Sequence, residues 1–340
     1  MKTVFIVDDN DINLLSAQTA LSEQFITYTL PSASEMFNLL KDIIPDLILL
    51  DILMPEINGF DAMKMLKEIP RYANIPVIFL TSRRDSVTEA MGFELGAVDL
   101  IMKPFSEPVL LNRIQTHLKI DDTIRQRTEK LQRLKNSLVS VLAEMLESRD
   151  KATGGHIDRT SAYLQLLVNA MIEQGVCLDE VSNWDIDLIV ASARLHDVGK
   201  ITISDLILNK PGPLSEEEFQ TMKIHAAEGE RIIEKIISQT GEEEFLLNAK
   251  LFAGYHHEQW DGAGYPHGLK GDNIPLQGRI MAIVDVYDAL TSDRSYKKAL
   301  GEEEALQIIT KCKGSHFDPK ITDVFLSIKD QFRQINEANN

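Results

Sequence analysis

The residues best suited to chemistry are His156, the pair His196-Asp197, His225 and the pair His256-His257, followed by Asp285 in the apolar, helix-like run Ile280–Leu290. No cysteine accompanies them, which argues against a structural zinc knot. Mixed imidazole and carboxylate donors suit iron, manganese, nickel, cobalt or zinc in a hydrolytic site. Adjacent ligands such as His196 and Asp197 would point about 100° apart on a helix, so they suit a pair of metal ions better than one, with the carboxylate able to bridge. Such a pair activates a water and clamps a phosphodiester for in-line attack. Lys200, read as one helical turn beyond His196, can neutralise charge on the phosphate or the leaving group. Arg294 and Lys297, which follow Asp285, can grip non-reacting phosphate oxygens. His117, His267 and His316 stand alone and read as ordinary core or surface residues.

A second constellation lies near the N-terminus. Asp8 and Asp9 directly follow the apolar run Thr3–Val7. Asp51 ends the strand that opens with Leu47–Leu50, Thr81 follows Val77–Leu80, and Lys103 follows Val98–Met102. With Ile26–Leu30, these runs read as five short strands, and helical patterns such as Asn13–Gln24 and Phe60–Glu68 separate them. Strands alternating with helices imply a doubly wound five-stranded parallel sheet. The polar residues then gather at the carboxyl ends of its strands, where such sheets bind ligands. Three carboxylates there repel one another unless a divalent cation joins them, and hard oxygen donors suit Mg²⁺. Lys103 and Thr81 can hold phosphoryl oxygens.

The elements that must position these groups divide the 340 residues into an α/β part over 1–120, a connecting helix over 121–149, and an all-α part over 150–340. The helical pattern itself runs from about Glu107 to about Asp150. Within it Ile124, Leu131, Leu134, Leu138, Val141 and Met145 recur at alternating spacings of three and four, with Arg127 breaking the seam. This stripe reads equally as a face packed on its own domain or as the seam of a homodimer. Glycine- and proline-rich loops interrupt the second part at Asn209–Leu214 and Asp261–Pro275.

The bulk properties narrow the class. A net charge of −17 argues against nucleic-acid or anionic-membrane binding. It also means that positive charge for a phosphodiester must come from metal ions and a few placed basic residues. No apolar run approaches the roughly 20 residues that span a bilayer. Only two cysteines, Cys177 and Cys312, are present, so a reducing cytoplasm is the natural setting.

Two resemblances sharpen this reading. Val7-Asp8-Asp9, Asp51-Ile52-Leu53-Met54-Pro55-Glu56-Ile57-Asn58-Gly59, Leu80-Thr81-Ser82 and Lys103-Pro104-Phe105 resemble the response-regulator receiver family. That resemblance implies that Asp51 accepts a phosphoryl group from a sensor histidine kinase, with Asp9 and Asp51 ligating Mg²⁺ and Asp8 assisting. It departs at Leu100, where the family often has an aromatic switch residue.

Thr153-Gly154-Gly155-His156, Leu195-His196-Asp197-Val198-Gly199-Lys200, Lys210-Pro211-Gly212, His256-His257-Glu258-Gln259-Trp260-Asp261-Gly262-Ala263-Gly264-Tyr265-Pro266 and Asp288-Ala289-Leu290-Thr291-Ser292 resemble the HD-GYP family of phosphohydrolases. That resemblance implies hydrolysis of cyclic di-GMP to pGpG, and often onward to GMP. It also implies metal ligation by His156, His196, Asp197, His225, His256, His257 and Asp285, with Lys200 at the scissile phosphate. Iron or manganese is expected, with nickel, cobalt or zinc as alternatives. Ala152 stands where some members carry a glutamate for a third metal, which favours two ions. Ser295 replaces a frequent proline after Arg294. A preference for cyclic GMP-AMP, or a scaffold role binding diguanylate cyclases, are the competing readings. An intact ligand set counts against the scaffold.

Overall fold

The computed structural model describes residues 1–82, 86–150, 155–292 and 298–338. The chain divides into two compact units, Met1–Gln132 and Arg133–Asn340.

In the first unit the apolar runs form β1 (Thr3–Val7), β2 (Ile26–Leu30), β3 (Leu47–Asp51), β4 (Val77–Thr81) and β5 (Asp99–Met102). All pairings are parallel, in the order β2-β1-β3-β4-β5. Strands β3 and β4 are buried along their whole length, as expected of a sheet covered on both faces. Helices α1 (Asp11–Leu21), α2 (Ala33–Leu40), α3 (Gly59–Glu68) and α4 (Ser86–Glu94) connect the strands. The side chains of Asn10, Ser32 and Asn58 cap the first three by accepting backbone N–H groups. The strand boundaries match the apolar runs to within one residue. Asp51 ends its strand, as expected, and Thr81 is the last residue of β4 rather than the first beyond it.

Helix α5 (Glu107–Arg149) begins soon after β5. Leu110, Ile114 and Leu118 enter the first unit's core. Farther along, Val139 joins a core cluster of the second unit with Leu195, Ile233 and Phe245. The stripe from Ile124 to Met145 is otherwise uncovered: Ile124, Leu131, Leu134, Leu138, Val141 and Met145 are each more than half exposed.

The second unit is helical: α6 (His156–Glu173), α7 (Leu178–Val181), α8 (Ile186–Ala193), α9 (Asp205–Leu208), α10 (Glu216–Thr240), α11 (Glu244–Tyr255), α12 (Leu276–Thr291), α13 (Glu302–Lys311), α14 (Pro319–Ser327) and α15 (Lys329–Ala338). Helix α12 is central, with Ile280, Met281, Ile283, Val284 and Tyr287 buried against α6 and the C-terminal helices. Tyr163, Tyr287, Phe325 and Phe332 interlock there as edge-to-face and stacked rings. Ser215 and Glu218 form a reciprocal capping box that starts α10. Both cysteines are free thiols. Among the described residues, no helix is long and apolar enough to cross a membrane.

Candidate active site

Different elements bring the histidines together. His156 opens α6, His225 lies in α10, His256 caps α11 with His257 next, and Asp285 projects from α12. His196 and Asp197 are not helical, contrary to the expectation from the sequence. They occupy a turn between α8 and a short 3-10 segment, Val198–Thr202, which also carries Lys200. The cause lies at Gly199. A Cβ there would stand 1.9 Å from the His225 carbonyl oxygen, so the turn presses directly on the α10 backbone. The tighter i→i−3 bonds through this stretch, from Leu195 to Ser192 and from His196 to Ala193, make that approach.

The side chains fall into two groups: His156, His196 and Asp285, and His225, His256 and His257. In each, one ligand atom per residue lies within 4.8 Å of the others. The hydrogen bonds fix the tautomers. His196 Nδ1 donates to the Ala193 carbonyl (2.9 Å), His225 Nδ1 to Met222 (2.7 Å) and His256 Nδ1 to Phe252 (2.9 Å). His156 Nδ1 donates to the buried Asp288 carboxylate at 2.7 Å. Each Nε2 is therefore the lone-pair nitrogen. Those nitrogens face one another: His156 and His196 at 3.3 Å, His225 and His256 at 3.3 Å. Two facing lone pairs at that distance require a proton or a cation. Burial, reinforced by the neighbouring His196 and His225, pushes His256 down to about 3. Burial also pushes His257 well below its ordinary value and lowers His225. Converging, oriented imidazoles with their Nε2 atoms turned to one point are the donors a divalent metal needs, so the residues fit such a metal.

Asp197 lies between the groups. Its Oδ2 is 3.5 Å from His196 Nε2, while its Oδ1 is 3.4 Å from His225 Nε2 and 3.8 Å from His256 Nε2. Burial opposes its ionisation, but Lys200 and His196 outweigh that and hold the carboxyl well below the usual range. Lys200 Nζ is 2.7 Å from Asp197 Oδ2 and 2.9 Å from Asp150 Oδ2. Burial alone would lower Lys200, yet those two carboxylates raise it, so it stays protonated.

Several supporting residues carried no site role in the sequence reading. Asp288 takes Arg159 Nε at 2.6 Å as well as His156, and Glu147 accepts the His156 backbone N–H at 2.6 Å. Asp288 had a signal: it lies one turn beyond Asp285 on the same helix face. Glu147 and Asp150 precede the first histidine and had none. Buried Glu258 accepts N–H groups from His267, Gly268 and Leu269, pinning the loop that follows His257. Within that loop Gly262 has φ 90°, and a Cβ on Gly264 would stand 2.5 Å from Glu258 Cα. The Tyr265 ring lies 4.7 Å from that of His257. Arg294, Lys297, Ala152, Ser295 and Thr153-Gly154 lie outside the described residues.

In the first unit, Asp8, Asp9 and Asp51 present oxygens within 4.8 Å of one another. Lys103 Nζ reaches Asp8 Oδ2 at 2.5 Å and Asp51 Oδ1 at 2.7 Å. Asp8 is further fixed by Asn10 N–H and Asn13 Nδ2. Burial pushes the Asp51 carboxyl up, against the pull of Lys103. Thr81 is buried at the end of the neighbouring strand β4, whose Leu80 pairs with Asp51.

Residues 140–321 match the family model described as HD domain, and residues 4–115 match that of the response regulator receiver domain. A Vibrio cholerae protein named a probable cyclic di-GMP phosphodiesterase is 40% identical over 98% of this chain and 79% of its own. RpfG of Xanthomonas campestris, a cyclic di-GMP phosphodiesterase response regulator, is 34% identical over 85% of this chain and 77% of its own. A 3'3'-cGAMP-specific phosphodiesterase of V. cholerae is 38% identical over 61% of this chain and 37% of its own. The chain thus belongs to the family of response regulators that join a receiver domain to an HD domain, the family of the cyclic di-GMP phosphodiesterases just described.

Proposed function

We propose that this protein is an HD-GYP phosphodiesterase that hydrolyses cyclic di-GMP to pGpG at a dinuclear metal site, under control of phosphorylation at Asp51. The observation that carries the reading is Asp197, whose two carboxylate oxygens face different histidine groups while Lys200 holds its outer edge. One ion would be held by His156, His196 and Asp285, the other by His225, His256 and His257, with Asp197 bridging. When bound, two such ions lower the pKa of a water and neutralise a phosphodiester. The chain's own residues do the rest. The Nδ1 bonds fix the ring planes, and Asp288 with Arg159 locks His156. Lys200 has two N–H groups on carboxylates and a third to offer a phosphoryl or leaving oxygen. In the formation of pGpG a water oxygen bonds to phosphorus, the P–O3′ bond breaks, and one of that water's protons ends on the freed 3′-oxygen.

Iron or manganese is the proposed native metal, and nickel, cobalt or zinc would also satisfy these donors. In the receiver, Asp8, Asp9 and Asp51 would hold Mg²⁺, and Thr81 and Lys103 would take phosphoryl oxygens donated by a sensor histidine kinase. Arg294 and Lys297 keep their proposed phosphate-gripping role.

Metal analysis of the replete protein, with chromatography of the products from cyclic di-GMP and cyclic GMP-AMP, tests the reading. Two ions per chain, with pGpG or GMP formed faster from cyclic di-GMP, is the expected result. Three full sites, no metal, or no turnover of either dinucleotide overturns it. Faster turnover of cyclic GMP-AMP would move the substrate to the class named for the 3'3'-cGAMP-specific relative.

A further inference from the structure

Lys223 stands at the edge of the second histidine group with no carboxylate partner among the described residues. It lies two positions before His225 on α10, half-buried. Its Nζ is 4.8 Å from the centre of the Phe219 ring and 5.4 Å from that of Tyr265. Tyr265 in turn packs 4.7 Å from His257. Other basic side chains around the centre are engaged by acids: Lys200 by Asp197 and Asp150, Arg159 by Asp288, and Arg194 by Asp158. The difference matters physically. A carboxylate cancels a cation's charge, whereas an aromatic face attracts the cation and leaves its charge in place. The hydrocarbon stem of a lysine packs on rings while the ammonium stays available. In a chain of net charge −17, an uncancelled ammonium beside a phosphodiester site is a placed feature rather than background.

A cyclic dinucleotide carries two phosphodiesters. The histidine groups with Lys200, together with Arg294 and Lys297 in their proposed role on its non-reacting oxygens, account for the one that is cut. The other is an anion that must lie beside the centre without being cleaved. We propose that Lys223 binds this second phosphate, with the rings of Phe219 and Tyr265 fixing its stem. The proposal rests on the reading of the chain as a cyclic dinucleotide phosphodiesterase. It also gives Tyr265, in the loop that follows His257, a task as a wall of the substrate site.

The test uses the full-length, metal-loaded protein with Lys223→Met, which keeps the apolar stem against both rings, and Lys223→Arg, which keeps the charge. Lys223→Met should raise KM for cyclic di-GMP roughly 10-fold or more, the worth of one charge-assisted hydrogen bond. Its kcat should stay close to wild type, because the contact is made equally in ground and transition states. Metal content should be unchanged, the salt dependence of KM should flatten, and Lys223→Arg should restore most of the affinity. The ratio of kcat/KM for cyclic di-GMP to that for bis(p-nitrophenyl) phosphate, an ester with a single phosphate, should fall by the same factor as the KM rise. An unchanged KM, an unchanged substrate ratio, or loss of metal from Lys223→Met overturns the assignment. A wild-type protein that cleaves the small ester and no cyclic dinucleotide overturns the functional reading, and this inference with it.

Discussion

Asp197 and Lys200 share one ion pair of 2.7 Å, and the proposed mechanism gives them different tasks. Asp197 is aimed at both histidine groups, so Asp197→Ala should release at least one metal and abolish nearly all hydrolysis. Lys200 touches only carboxylates, so Lys200→Ala should retain both metals while turnover falls by ~10²-fold, as when one transition-state donor is lost. Metal content measured beside kcat separates the two, and metal loss from Lys200→Ala would show that it holds the site together instead. The same cluster sets a pH dependence. His256 titrates near 3 in the fold and near 6.5 in an open chain. Between those values the unfolded state binds a proton that the folded state does not. The metal-free protein should therefore lose stability as pH falls below about 6.5, by up to about 1.4 kcal/mol per pH unit for each such histidine. His225 and His257 act in the same sense, while His196, held up by Asp197 and Asp285 against burial, acts in the opposite one. Urea midpoints of chelated protein between pH 7 and 5 measure the balance. His256→Gln should flatten the slope, and a midpoint that rises on acidification would contradict it.

At the scale of elements, the site depends on how closely the 3-10 segment Val198–Thr202 meets α10. Gly199 makes that contact, and any side chain there must push the His225 backbone away. Gly199→Ala should cost about 1–3 kcal/mol, the range for overpacking a close contact. It should also move His196, Asp197 and Lys200 relative to His225, so metal affinity should fall along with the thermal midpoint. Gly254→Ala, on α11, is the control. Its Cβ would meet the Glu230 side chain of α10 at 3.1 Å, a tight helix–helix contact that does not involve the turn or the His225 carbonyl. Equal metal loss in both variants would assign the effect to general packing rather than to the turn.

At the scale of the whole molecule, α5 is one helix that supplies Leu110, Ile114 and Leu118 to the receiver core and Val139 to a core cluster of the second unit. Its intervening stripe is exposed, and a self-complementary apolar stripe is what a homodimer seam needs. The proposed phosphorylation of Asp51 would add charge beside Asp8, Asp9 and Lys103, and Lys103 lies only a few residues before this helix starts. Beryllofluoride bound at Asp51 should therefore change either sedimentation or cyclic di-GMP turnover, and Asp51→Asn should abolish the change. Leu138→Glu should weaken a dimer if the seam forms it. Neither quantity moving in wild-type protein with the mimic bound would remove the receiver as the regulator.

Much of this was legible without coordinates. The five strands could be read because buried parallel strands are short apolar runs, and the acids followed at their ends because ligands collect there. The histidines could be listed because paired donors are rare enough to stand out. Sequence could not divide them into two groups, since His156 and Asp285 lie far apart along the chain and meet only when α6 packs on α12. Nor could it give the direction of Asp197, which was read on helical geometry and stands instead on a turn shaped by Gly199 against α10. The partners Glu147 and Asp150 were invisible for the same reason, while Asp288 showed only as the residue one turn beyond Asp285. A residue's type announces what it can donate or accept, but burial and the neighbours that only folding supplies determine its charge and aim.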